Sequence, residues 1–286
     1  MTGIRLKSFI FTRFIPTKAC FLIMGFFLLC QPSLAWAGKT DEVPGVDLKD
    51  LDADEKKLLI EVLDNQFDPC GKPRSFLDAL KDKGSCGKAI PLATFAVGRV
   101  QEGLSKRQVV RALLKELKRM TVRHKFTIKG RPSIGPDKAK VTVVEFSDFE
   151  CPHCKEVSRE LKKLIKGRDV RIVFKQYPLQ FHQNALPAAI AVVAAHFQGK
   201  FWPLYERLFA DQDKLSEKYI QKLAKKVGLD MKRFKVDQAS ATSMVEDDRT
   251  EGELADIEGT PTFFVDGQQV EFEDLDSRIK AALKRK

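Results

Sequence analysis

The stretch "EFSDFECPHCKEV", residues 145–157, sets Cys151 and Cys154 two residues apart, where an apolar, β-branched run gives way to a lysine- and glutamate-rich helical pattern. Such a pair can clamp a metal, attach a haem, close a structural disulfide or carry thiol chemistry. Zinc needs about four ligands. No second C-x-x-C completes a set, and Cys70 and Cys86 lie in a distant part of the chain. Covalent haem requires a histidine directly after the second cysteine, and position 155 is Lys. A disulfide closing so small a loop restrains little of the unfolded chain, so a purely stabilising role is weakly motivated. The reactive reading has a mechanism, and it calls for no metal and no cofactor.

That mechanism rests on helix geometry. With Pro152 in the first helical turn, where a missing N–H costs nothing, Cys151 lies at the helix N-terminus, and unpaired amides and the dipole there favour a thiolate. A protonated or hydrogen-bonding His153 favours it further, toward the pKa range of roughly 3.5 to 7.5 of activated thiols. A low pKa stabilises the reduced form and makes the disulfide an oxidant.

Working outward, "VTVVEFS" (141–147) suits a strand buried on both faces. A helix from about 152 to 166 follows, then the strand "VRIVFKQY" (170–177). A helical stretch from His182 to Asp256 is broken near Gly199, Gln212 and Gly228, and "TPTFFVDG" (260–267), a short strand near "QQVEF" (268–272) and a helix over Leu275–Lys284 close the chain. This succession predicts an α/β layer fold with the cysteine motif at a strand's C-terminal edge. Upstream, residues 48–120 read as helical throughout, with Ser105 and Gln108 spaced as a capping box. Glycines and prolines in 121–140 mark a module boundary, and "KFTIK" (125–129) reads as an edge strand of the second module.

"VVEFSDFECPHC" (143–154) together with the distant "GTPTFFVDG" (259–267) resembles the DsbA-like thiol:disulfide oxidoreductases of the thioredoxin superfamily. The resemblance covers about residues 125–286. It implies a thioredoxin fold with a helical insertion, preceded here by a small all-α module. It also implies that Cys151 is the exposed, attacking sulfur and Cys154 the buried resolving thiol, flanked by Pro152 and His153. Thr260–Pro261 would form a cis peptide whose backbone docks an extended substrate. Glu145, six residues before Cys151, stands where family members can carry a buried acid; there it would accept a proton from Cys154, whereas an edge position would point it to solvent. The implied activity is oxidation of reduced or misoxidised exported proteins, with a membrane redox partner resetting the pair. A disulfide isomerase or reductase is the alternative within enzymes, and a non-catalytic scaffold the alternative outside them. His182 reads as a surface histidine at a helix start, and His124 and His196 as packing or surface residues.

The ends suggest export. Arg5, Lys7, Arg13 and Lys18 precede an apolar stretch, Ala19 to Cys30, and Ala35-Trp36-Ala37 offers a cleavage site. The expected organisation is a signal peptide over 1–37, a helical module over 38–124 and the α/β domain over 125–286, in a periplasmic or otherwise extracytoplasmic compartment. Bulky Leu29 before Cys30 argues against lipid attachment. Removing the signal's four basic residues lowers the formal charge from +11 to +7, and mixed-sign runs such as "KDLDADEKK" lack the clustered basic and aromatic pattern of nucleic-acid binders. Four cysteines then remain. Cys70 and Cys86, each at a break between helices, are read as a structural disulfide stapling a small bundle; a dithiol relay to Cys151–Cys154 is the alternative.

Overall fold

The computed structural model describes residues 43–82 and 84–285, so the export segment read at 1–37 lies outside the described residues. Helix α1 (Ala53–Asn65) starts at Asp52, whose carboxylate accepts the Glu55 N–H at 2.8 Å while Glu55 accepts the Asp52 N–H at 2.8 Å. This reciprocal cap satisfies two of the amides that a helix start leaves open. After α2 (Phe76–Lys81) and α3 (Ala89–Gln101) comes α4 (Lys106–Thr121), where Gln108 accepts the Ser105 N–H at 2.9 Å, as the spacing predicts. These helices enclose their own core, centred on Leu59, Val62, Leu63, Leu92, Ala96 and Val109.

The turns on either side of α2 are joined by a Cys70–Cys86 disulfide with Cα atoms 5.8 Å apart. Arg74 ties the same two turns together, donating to buried Asp68 at 2.8 Å and to Asp82 and Ser85 at 2.7 and 2.5 Å.

Residues 125–129 do not form the expected edge strand. The Thr127 N–H donates to the Glu251 carboxylate at 3.1 Å, a side-chain acceptor that replaces a ladder partner. The edge is instead β1 (Ser133–Ile134), two residues long. Then follow β2 (Val141–Ser147), α5 (Pro152–Ile165), β3 (Val170–Gln176), α6 (Ala185–Phe197), α7 (Phe201–Ala210), α8 (Glu217–Lys226), α9 (Met231–Leu254), β4 (Thr262–Val265), β5 (Gln268–Val270) and α10 (Phe272–Arg285).

Among the described residues these strands form one sheet in the order β1-β3-β2-β4-β5, with β2 parallel to β3 and the other pairs antiparallel. Central β2 is covered on both faces, which accounts for its unbroken apolar run. Val143, Ile172, Phe174, Phe263 and Val265 face the large core built with α5 and the inserted helices α6–α9, while Val144, Phe146, Val173 and Phe264 face a smaller cluster with Ala255 and Ile257. On that second face Lys175, fully buried, bonds Asp248 at 2.5 Å and Glu251 at 2.9 Å, and Arg131 joins Asp248 at 2.8 Å. Mutual pairing is what permits these charges inside the fold.

The helical region meets the sheet at β5. The His124 N–H donates to the Gly267 carbonyl at 2.7 Å, and the Gln268 amide donates to the Met120 carbonyl at 3.1 Å. Gly267 has φ +82°, and a Cβ there would stand 2.2 Å from the His124 oxygen, so only glycine fits the contact. No helix among the described residues is long and apolar enough to cross a membrane.

Candidate active site

β2 ends at Ser147, and the next three residues turn the chain into α5. Buried Asp148 shapes that turn: its carboxylate accepts N–H groups of Glu150 at 2.7 Å and Leu179 at 2.8 Å and lies 2.8 Å from His182 Nδ1, while its carbonyl accepts the Cys151 N–H at 3.3 Å. Gln212, in the turn after α7, donates to the Phe149 and Cys151 carbonyls, each at 2.8 Å. Glu150 in turn accepts the Asn184 N–H at 2.6 Å. The turn is therefore held from two segments distant in sequence.

Cys151 is the N-cap residue of α5 and Pro152 occupies its first position, the arrangement in which open helix amides stand beside the sulfur. Both cysteines are free thiols; Cys154 is completely buried, and Cys151, expected to stand exposed, is itself buried at 5% exposure because the Thr260 segment packs over its sulfur. The Cys151 thiol donates to the Thr260 carbonyl at 3.1 Å, and Thr260–Pro261 is a cis peptide, so the two distant motifs meet at one sulfur.

Hydrogen bonding from Cys154, reinforced by the Thr260 side chain and by the Cys154 and His153 amides, lowers the Cys151 pKa to about 5. Burial first, and then the charge of its partner, push the Cys154 thiol far upward. One sulfur is thus set to be the anion and the other to hold the proton.

Glu145 lies fully buried on the central strand, beside Phe174 of β3 and Phe263 of β4, on the face that also carries the cysteines' core. A solvent-facing edge position is therefore not what it has. Neither of its carboxylate oxygens has a hydrogen-bond partner, and burial raises its pKa to about 8. His153 differs from expectation in a different way. Its ring is 79% exposed and lies 3.7 Å from Glu156, so the main-chain amide, not the imidazole, supports the Cys151 sulfur.

A family model described as thioredoxin matches residues 127–285, more than half of the chain. The chain belongs to the thioredoxin family. This thioredoxin-family α/β fold carries its helical insertion, α6–α9, between β3 and β4, behind the helical module formed by α1–α4. Among solved structures it is similar to oxidised BdbD from Bacillus subtilis, at 28% identity and a TM-score of 0.50, covering 57% of this chain and 98% of that one. Among curated proteins, the Na(+)/H(+) antiporter NhaA 3 of Salinispora tropica is 37% identical over 139 residues, 47% of this chain and 21% of the antiporter. NhaA 1 of Salinispora arenicola is 38% identical over 141 residues, again 47% of this chain and 21% of that protein. The matched part thus spans about a fifth of these relatives' length.

Within this thioredoxin-family site, the sequence motifs identify the sulfurs and the Thr260–Pro261 pair but pass over Asp148, Gln212 and the His182 contact. Asp148 left a trace in the sequence, an acid just ahead of a helix start. Gln212 left none beyond marking a helix break, because its target is a carbonyl 61 residues earlier.

Proposed function

We propose that this protein is an exported thiol:disulfide oxidoreductase that donates the Cys151–Cys154 disulfide to cysteine pairs of reduced or misoxidised exported proteins. One observation carries the reading: the acidities of the two thiols are displaced in opposite directions, Cys151 down to about 5 and Cys154 upward. Starting from the oxidised pair, a client thiolate attacks Cys151 Sγ, a client–Cys151 disulfide forms, and Cys154 leaves as a thiolate. Glu145, protonated below its raised pKa of about 8, supplies the proton that this buried thiolate takes up. A second client thiolate then attacks the client sulfur of the mixed disulfide, closing the client's own disulfide and releasing Cys151 as a stable thiolate. Two electrons have passed from client to enzyme, and a membrane redox partner would take them on.

The direction follows from the same acidity. A thiol titrating near 5 rather than ~8.5 stabilises the reduced enzyme at pH 7 by ~2.7 kcal/mol, about 60 mV for a two-electron couple. An extracytoplasmic location is supported by the export pattern at 1–37 and by the Cys70–Cys86 disulfide, a bond that persists in oxidising compartments. Equilibration of the purified protein with glutathione buffers tests the reading. A potential well above about −200 mV is expected, and a value near the thioredoxin level of about −270 mV would make it a reductase instead.

A further inference from the structure

Beside the thiol pair, a cleft of about 500 Å³ opens between the helical module and the segment that carries Pro261. Phe95 and Arg99 of α3 and Ala112 of α4 line one side; Glu258, Thr260 and Gln269 line the other. Its volume falls in the range of roughly 300–1,000 Å³ of clefts that hold ligands. Neither cysteine lines the cleft, but one lining residue reaches the chemistry: the Thr260 carbonyl accepts from Cys151 Sγ at 3.1 Å.

One atom of this lining, Arg99 Nε on the helical side, is shielded from solvent without any hydrogen-bond partner, while the Thr260 side chain on the other side is engaged with Cys151. Buried polar atoms in folded proteins are nearly always satisfied, so an unpaired donor in the wall of a cleft points to a partner arriving from outside. Charge does not select that partner. Lys115 pairs with Glu258, Arg119 with Glu116 and Glu271, and Asp256 with Lys118. What remains open is the Arg99 Nε donor, whose guanidinium otherwise pairs with Glu102 at 2.5 Å, and an apolar surface at Phe95, with that guanidinium 5.0 Å above its ring. An extended polypeptide presents carbonyls and amides along both edges and side chains between them, which answers each of these in turn.

We propose that the helical module is the second wall of the client groove, and that an extended segment of the client, adjoining its reactive cysteine, lies between α3–α4 and residues 258–261. This rests on the exchange function proposed above. The contacts that close the module against this segment, Lys115–Glu258 and Lys118–Asp256, are made by side chains more than half exposed. Such pairs contribute little, so the walls can part to admit a chain.

The test compares two thiol substrates on the full chain: reduced, unfolded ribonuclease A, which can occupy the groove, and reduced glutathione, which is too small to span it. Arg99→Met and Arg99→Lys both remove the Nε–H, the second while keeping the charge, and Ala112→Trp fills the cleft. Each is expected to raise KM for ribonuclease about tenfold, equivalent to ~1.4 kcal/mol, with kcat unaltered and glutathione oxidation as the internal reference. Unaltered ribonuclease KM in all three variants would overturn the groove, and so would equal losses with both substrates, which report damage to the thiol pair itself. If the unsubstituted chain oxidises neither thiol, the exchange function fails instead.

Discussion

In the helical module, Cys70 and Cys86 are bonded across a sequence separation of 16, whereas in the α/β domain Cys151 and Cys154 stand as free thiols at a helix start. The surroundings differ more than the spacing. Around the first pair, Arg74 bonds Asp68, Asp82 and Ser85 and fixes the two turns, and the Asp68 carboxylate accepts the Cys70 backbone N–H at 2.6 Å. Around the second, the Cys154 thiol, the Thr260 side chain and open helix amides are aimed at Cys151 itself. A cysteine whose neighbours hold the backbone is set up to stay bonded; one whose neighbours hold the sulfur's charge is set up to exchange.

The sharpest way to break this contrast is to remove one sulfur of the second pair. Cys151→Ala should abolish exchange. Cys154→Ala should still attack a client disulfide through Cys151 and accumulate mixed disulfides, because only the resolving step is lost. Non-reducing gels of each variant incubated with a disulfide-bearing unfolded client read this directly, and equal trapping by both would reverse the assignment of roles.

Next in size is the buried acid beneath the exchanging pair. Glu145 titrates near 8 in the fold and at ~4.3 in an unfolded chain. Between those values the unfolded state has lost a proton that the folded state keeps, so stability falls as pH rises from ~4 to about 8. At pH 7 the loss is on the order of 3.5 kcal/mol. Glu145→Gln should therefore be more stable than the unsubstituted chain at pH 7 and equal to it at pH 4 in urea melts. No pH-dependent difference would mean that the carboxyl is ionised or solvated in the fold.

The smallest effect belongs to the first pair. Cys70→Ser with Cys86→Ser should cost about 3 kcal/mol, the chain-entropy value for a loop near 15 residues, and leave exchange at Cys151 intact. The intact bond should also survive glutathione buffers that fully reduce Cys151–Cys154. Mass mapping across a buffer series checks both points. Co-reduction of the two pairs, with a trapped disulfide from Cys70 or Cys86 to Cys151, would turn the staple into a relay.

Local pattern was enough to read the order of the helices and of the strands from β2 onward, the helix start at Pro152 and the reactive spacing of Cys151 and Cys154, because each depends on residues within a turn or two of one another. The doubly covered β2 was legible for the same reason: an unbroken apolar run has few other uses. Packing alone decided the rest. Residues 125–129 have strand-like composition, yet Thr127 finds its acceptor in Glu251, 124 residues away. The His153 ring turns outward while its amide does the supporting, a choice between two groups of one residue that no spacing encodes. Glu145 could have faced solvent from an edge until strand order put β2 between β3 and β4. Gln212 reaches the active-site turn only through the insertion. Hydrogen bonds and burial at the sulfurs depend on atoms brought together from five separate stretches of chain, and that convergence, with the acidity it sets, exists only in the folded molecule.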